Sequence, residues 1–144
     1  MKKSIAFILT FIFVFSQMVY IGHAEGEEVL VITNSGVAQS EISAKDLGSM
    51  FLGKKSSWEG GMKAVPVTLE SGDTHEKFLK LYIKKSSSQF STFWKQAVFT
   101  GQGIPPKSVS SEADVVKFVS ENPGAVGYIL PSTPHDGVKI LAVK

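Results

Sequence analysis

"SEADVVKFVSENPGAVGYIL", residues 111–130, reads as a helix, a stop and a strand in immediate succession. Ser111 and Asp114 stand at the spacing of a capping box, which opens a helix by satisfying backbone N–H groups of its first turn. Pro123-Gly124 halts that helix, because proline lacks the N–H that a helix requires and glycine readily turns the chain. "AVGYIL" (125–130) then reads as a buried strand, apolar along nearly its whole length.

The same grammar recurs outward from this stretch. "EVLVIT" (28–33) is a near-continuous β-branched run, again a buried strand, followed by an Asn34-Ser35-Gly36 turn. In "SAKDLGSMFLGKK" from Ser43, Ser43 and Asp46 fit a second capping box and Leu47, Met50 and Phe51 share a helical face. Gly53 suits the stop of that helix. "AVPVTL" (64–69) alternates as a strand does, with Pro66 pointing to an edge or a strand start. A helix opens within "ESGDTHEKF" (70–78), carries Phe78, Leu81 and Tyr82, and ends at Lys84, Lys85 and three serines. Another begins near Ser88 with the stripe Phe90, Phe93, Trp94, Ala97 and Val98, read as core at helical spacing. "TGQGIPP" (100–106) is a loop, and "VKILAV" (138–143) is the last strand. Strands separated by helices predict an α/β domain with a small, mixed, partly parallel sheet of four strands flanked by helices.

Residues 1–24 stand apart from this pattern. Lys2 and Lys3 precede a long apolar run from Ile5 to Ile21, and Gly22, His23 and Ala24 bring small residues to a cleavage position. The segment reads as a secretory signal removed after Ala24, leaving one domain over 25–144; an uncleaved anchor is the rival reading, since about 17 apolar residues is near the lower limit of a span. Without Lys2 and Lys3, 13 lysines balance 13 acids, and there is no arginine. A neutral chain lacks the surplus of cations that nucleic-acid binding needs, so no nucleic-acid partner is expected. Without arginine, any anion site must use backbone N–H groups, hydroxyls, lysine or histidine. The absence of cysteine excludes thiol catalysis, cysteine zinc sites and disulfides, and leaves the hydrophobic core to hold an exported, periplasmic product together.

Enzymatic chemistry finds no support in the motifs. No nucleophile elbow, phosphate loop of the Gly-Lys-Thr type or zinc-protease pattern occurs. His75 lies beside Asp73 and Glu76, but no second histidine stands at ligand spacing, so it reads as an exposed histidine at a helix start. Neither a cofactor nor a metal is expected.

The blocks "DLGSMFLGKKSSWEGG", "VPVTLESGDTHEKF", "FWKQAVFTGQGIPP" and "VVKFVSENPGAVGYI" follow one another in an order that resembles the phosphate-binding periplasmic substrate-binding proteins of ABC transporters, in a short form. The resemblance runs from about Val29 to Leu130 and implies one lobe of a type-2 periplasmic binding fold. In that family two lobes close on phosphate through helix N-termini, hydroxyls and an arginine, and the loaded protein docks on a membrane permease. Carried onto this chain, the resemblance implies an anion site at Ser71, Gly72, Thr74 and His75, with phosphate or a similar oxyanion and an ABC permease as partners. The family loop reads Gly-Ser-Gly-Thr followed by Arg-Glu; here Thr74 and Glu76 are retained, while Gly72, Asp73 and His75 replace the serine, the second glycine and the arginine. Asp73 is expected to cap the helix itself, with Glu76 completing a capping box, which would set a carboxylate where phosphate should sit and weaken binding. A single lobe also leaves bare the surface that its other half would cover, so a homodimer is a further expectation. Two readings stay open: a weak oxyanion-binding protein for a transporter, or an exported adaptor derived from such a lobe.

Overall fold

The computed structural model describes residues 28–144; the signal expected at 1–24 lies outside the described residues. The strands are β1 (Leu30–Asn34), β2 (Glu41–Ile42), β3 (Val65–Leu69), β4 (Lys107–Val109), β5 (Ala125–Ile129), β6 (Val138–Ile140) and β7 (Ala142–Val143). The helices are α1 (Ala44–Phe51), α2 (Asp73–Phe78), α3 (Ser87–Phe99) and α4 (Glu112–Glu121), with α2 running on into a wider π turn over Leu79–Ile83. Five strands form one sheet in the order β4-β3-β5-β1-β6. β1 runs antiparallel to both β5 and β6, whereas β3 runs parallel to β5 and to β4. The α/β class and the mixed, partly parallel sheet are therefore as the pattern predicts.

The count of four strands is too low. β4 is a three-residue, largely exposed edge whose Lys107 and Ser108 give no hydrophobic period. The run at 138–143 is two strands: Leu141 donates to Val31 at 2.9 Å, and Ala142 then turns to Ser40 and the separate parallel pair β2-β7. Pro66 marks the start of β3, not an edge, because pairing with β4 begins one residue later at Val67.

β5 is buried along its whole length and divides the layers. Alternate residues of a strand point to opposite faces. Tyr128 faces α1 and α2, with Phe78 stacked on its ring at 3.8 Å and 7° and Phe51 meeting Phe78 edge-on at 4.8 Å. Gly127 faces α4: a Cβ there would lie 2.7 Å from Val115 and 2.8 Å from Val67, so glycine is what lets α4 settle on the sheet. The side-chain amide of Asn34 anchors the far end of α4, donating to the carbonyls of Val119 and Ser120 at 2.9 and 3.2 Å.

The segment from Asp46 to Gly61 and the turn at Gly124 hold each other. α1 ends as expected at Gly53 (φ 71°), where Lys54 and Gly53 donate back to Ser49 and Met50 at 2.8 and 3.3 Å. Trp58 donates its indole N–H to the carbonyl of Gly124 at 2.9 Å, and Val65 donates to the same carbonyl at 3.0 Å. Gly124 has φ 77°, and a Cβ there would come within 2.0 Å of the Lys63 carbonyl. Gly60 shares a positive φ of 91°, but a Cβ there would meet nothing within 4 Å. Gly124→Ala is therefore expected to lower stability by about 3 kcal/mol or more, against about 1 kcal/mol for Gly60→Ala. Urea denaturation of the two variants separates the steric collision from backbone strain; equal losses would contradict this packing.

Candidate functional site

β3 delivers its last residues to a polar junction inside the protein. The Leu69 N–H donates to the Tyr128 hydroxyl at 3.0 Å, and that oxygen lies 2.5 Å from His75 Nδ1. A phenol has one proton to give. The hydroxyl makes no further hydrogen bond among the described residues, so Nδ1 of His75 is assigned as the acceptor of its proton, which leaves the imidazole proton on Nε2. His75 is only 4% exposed, which corrects the reading of an exposed helix-start histidine. Desolvation holds its pKa below the ordinary 6.5, with the Glu76 carboxylate opposing in part. Burial pushes the Tyr128 hydroxyl well above its usual range, so both partners are neutral.

The start of α2 also departs from expectation. Its N-cap is Gly72, at φ 105° and ψ 171°, with no side-chain cap. Asp73 is the first helical residue and is exposed, so the Asp73–Glu76 capping box does not form. The first helical bond is Glu76 N–H to the Gly72 carbonyl at 3.0 Å. Glu76 turns instead to α3, accepting from the hydroxyl of Ser87 and from its N–H at 3.4 Å. The Ser87 hydroxyl bond is the main reason its carboxyl sits below the usual range. The start of α3 is further closed by a reciprocal box, Gln89 N–H to Ser86 Oγ at 3.1 Å and Ser86 N–H to Gln89 Oε1 at 2.9 Å.

A cleft of about 740 Å³ opens beside this junction, bounded by Thr68, Leu69 and Glu70, by His75, and by the Ser87–Phe99 helix and Pro105-Pro106. Of the four residues expected at an anion site, His75 lines the cleft, Thr74 is buried next to it, and Ser71 and Gly72 lie exposed on the turn. No hydrogen bond among the described residues engages the Thr74 hydroxyl or His75 Nε2. Since no buried side-chain nitrogen or oxygen among the described residues lacks a partner, both atoms border solvent. Phe90 and Trp94 are core, as the stripe predicts, but they also wall the cleft. Val98 is 51% exposed and departs from the stripe. Among the described residues no group of three or more His, Asp or Glu could hold a metal ion, and no helix is long and apolar enough to cross a membrane. Tyr128, Glu70 and the Glu76–Ser87 lock escaped the pattern reading. A tyrosine in an otherwise apolar buried strand is the one signal that points to a hidden partner.

The topology, with a cleft past the C-terminal end of parallel β3, is that of solved binding proteins. A phosphate ABC transporter substrate-binding protein from Clostridium perfringens, so described and solved with bound phosphate, superposes over 80% of this chain and 44% of its own, at 17% identity and a TM-score of 0.63. PstS from Borrelia burgdorferi matches over 81% and 47%, at 18% identity and a TM-score of 0.62. An ABC-type phosphate transport receptor from Vibrio cholerae matches over 80% and 45%, at 16% identity and a TM-score of 0.62. The fold is that of a binding-protein lobe. The chain spans less than half the length of these binding proteins. No family model matches the chain, and no curated protein matches it by sequence.

The junction sets two expected outcomes. Tyr128→Phe leaves the Leu69 N–H without its buried acceptor and should cost about 1–3 kcal/mol in chemical denaturation. Because folded His75 resists protonation, the unfolded chain takes up the extra proton, so the stability it contributes is complete above pH 6.5 and falls as pH drops below that value. Glu76, with a lowered pKa, loses its contribution only below its ordinary 4.5. Denaturation midpoints should therefore fall as pH drops below 6.5 in the wild type and fall less in His75→Gln; parallel curves would show that His75 is not the titrating group.

Proposed function

We propose that the chain is a non-catalytic oxyanion-binding module of the phosphate-binding type, exported to the periplasm by residues 1–24 and serving an ABC permease. Its anion site is the turn from β3 into α2. The first-turn N–H groups of α2, the Thr74 hydroxyl and the Nε2–H of His75 are the donors, and Ser71 adds a hydroxyl from the exposed turn. The single observation that carries this reading is that α2 begins at Gly72 with no side-chain cap. A helix start without an internal acceptor keeps its orphan N–H groups and positive dipole end available to an anion. The likeness of fold to proteins described as phosphate-binding supports the same reading.

Affinity is expected to be weak. The chain has no arginine, His75 is neutral, and Asp73 places a carboxylate in the first turn. At about 4 Å in a solvent-exposed setting, like charges repel by about 1 kcal/mol. Isothermal titration of residues 25–144 with phosphate, sulfate and molybdate tests the reading. Asp73→Asn should tighten binding about fivefold, and Thr74→Val should weaken it. A second reading, an adaptor that binds no anion, is favoured by the apolar surface that Phe99 and Ile104 expose; it predicts no heat at millimolar ligand from either the wild type or Asp73→Asn.

A further inference from the structure

We propose that the rim of the cleft is a self-association surface on which a second copy of this chain seats Phe99. Phe99 ends α3 and is 92% exposed, Ile104 in the following loop is 90% exposed, and Val98 is 51% exposed. Large side chains left this bare within a few residues of one another mark a surface that associates. The cleft beside them is walled by Phe90, Trp94 and Pro105, and Phe99 stands on its border. One patch thus carries both a protruding ring and an apolar recess, which is what an isologous two-fold contact requires: each copy offers its ring to the other's recess.

Charge complementarity singles out a second copy among the occupants this patch could take. The cleft border carries one acid, Glu70, and one base, Lys95. Neither side chain takes part in an ion pair or side-chain hydrogen bond among the described residues. In the proposed two-fold contact, Lys95 of each copy pairs with Glu70 of the other. A uniformly acidic or basic partner would meet one of the two as a like charge, as would an anionic lipid surface.

Sedimentation equilibrium and light scattering on residues 25–144 at submillimolar concentration test this. The wild type is expected to dimerise, and Phe99→Ser to raise the dimer Kd by about 100-fold, since two rings leave the contact at once. Phe99 is exposed, so its loss should leave the fold intact, which circular dichroism checks. Glu70→Lys and Lys95→Glu should each weaken the dimer, and the double exchange should restore it. A wild type that stays monomeric, a dimer indifferent to Phe99→Ser, or single exchanges that the double variant does not rescue would each overturn the proposal. So would a monomer that binds phosphatidylglycerol vesicles through Phe99, because that result assigns the patch to lipid. His75 lines the same cleft, but the anion reading is tested at Asp73 and Thr74 and the dimer at Phe99, Glu70 and Lys95, so failure of the first leaves the second to stand or fall on its own variants.

Discussion

The hydroxyl of Tyr128 is the point on which the interior turns. It takes the N–H of Leu69 at the end of β3 and meets Nδ1 of His75 in the first turns of α2, so one oxygen ties the central strand, its parallel neighbour and the following helix. The ring beneath it is stacked on Phe78, which fixes where the oxygen can lie. A buried phenol without partners would cost free energy; with both partners in place, it determines how the chain leaves β3 and enters α2. The geometry of the β3–α2 turn, including the exposed placement of Ser71 and Gly72, follows from that anchorage.

Around this junction the scaffold is held by contacts between segments far apart in the chain. Trp58 donates to Gly124, and Trp94 donates to the Phe51 carbonyl at 3.2 Å. Each indole reaches a backbone carbonyl close to a glycine that has no room for a side chain: Gly124 over Lys63, and Gly53 with Trp94 at 2.8 Å from a Cβ position. Close backbone approach and a donor aimed at a carbonyl are two halves of one device, and substituting either half disturbs the other. The blocks by which the chain resembles phosphate-binding proteins are thus largely the pieces that hold the lobe together, so the resemblance bears on fold more directly than on ligand.

Elements with strong local period were legible in the sequence. The buried strands at 28–33 and 125–130, the α1 stop at Gly53 and the helix over 111–122 are set by hydrophobic run and cap chemistry that neighbouring residues supply. Even there, the capping boxes read at Ser43 and Ser111 are half formed: each serine accepts from the backbone, while Asp46 turns to Lys55 and Asp114 to the serine hydroxyls. The complete box, Ser86 with Gln89, stood inside a serine run that reads as a helix end. β4 was hidden because an exposed edge strand has no hydrophobic period. The burial of His75 is hidden from the sequence for a different reason. Its burial depends on Tyr128, 53 residues away, and local propensity carries no information about a partner at that distance.

Two helix starts near the cleft show how the same chemistry divides between internal and external acceptors. At α3, Glu76 and the Ser86–Gln89 box occupy the donors, and Glu76 is held there strongly enough to lower its own pKa. An outside anion would have to displace a tethered carboxylate whose effective concentration is high. At α2, Gly72 offers no side chain and Asp73 lies exposed beyond cap position, so an incoming anion meets repulsion but no bound competitor. Repulsion between exposed charges is softened by water and salt, whereas a bonded internal acceptor is not. Of the two starts, α2 is therefore the one that keeps its first-turn donors free of an internal side-chain acceptor, and the proposed anion site rests on it even though it carries an acid in its first residue.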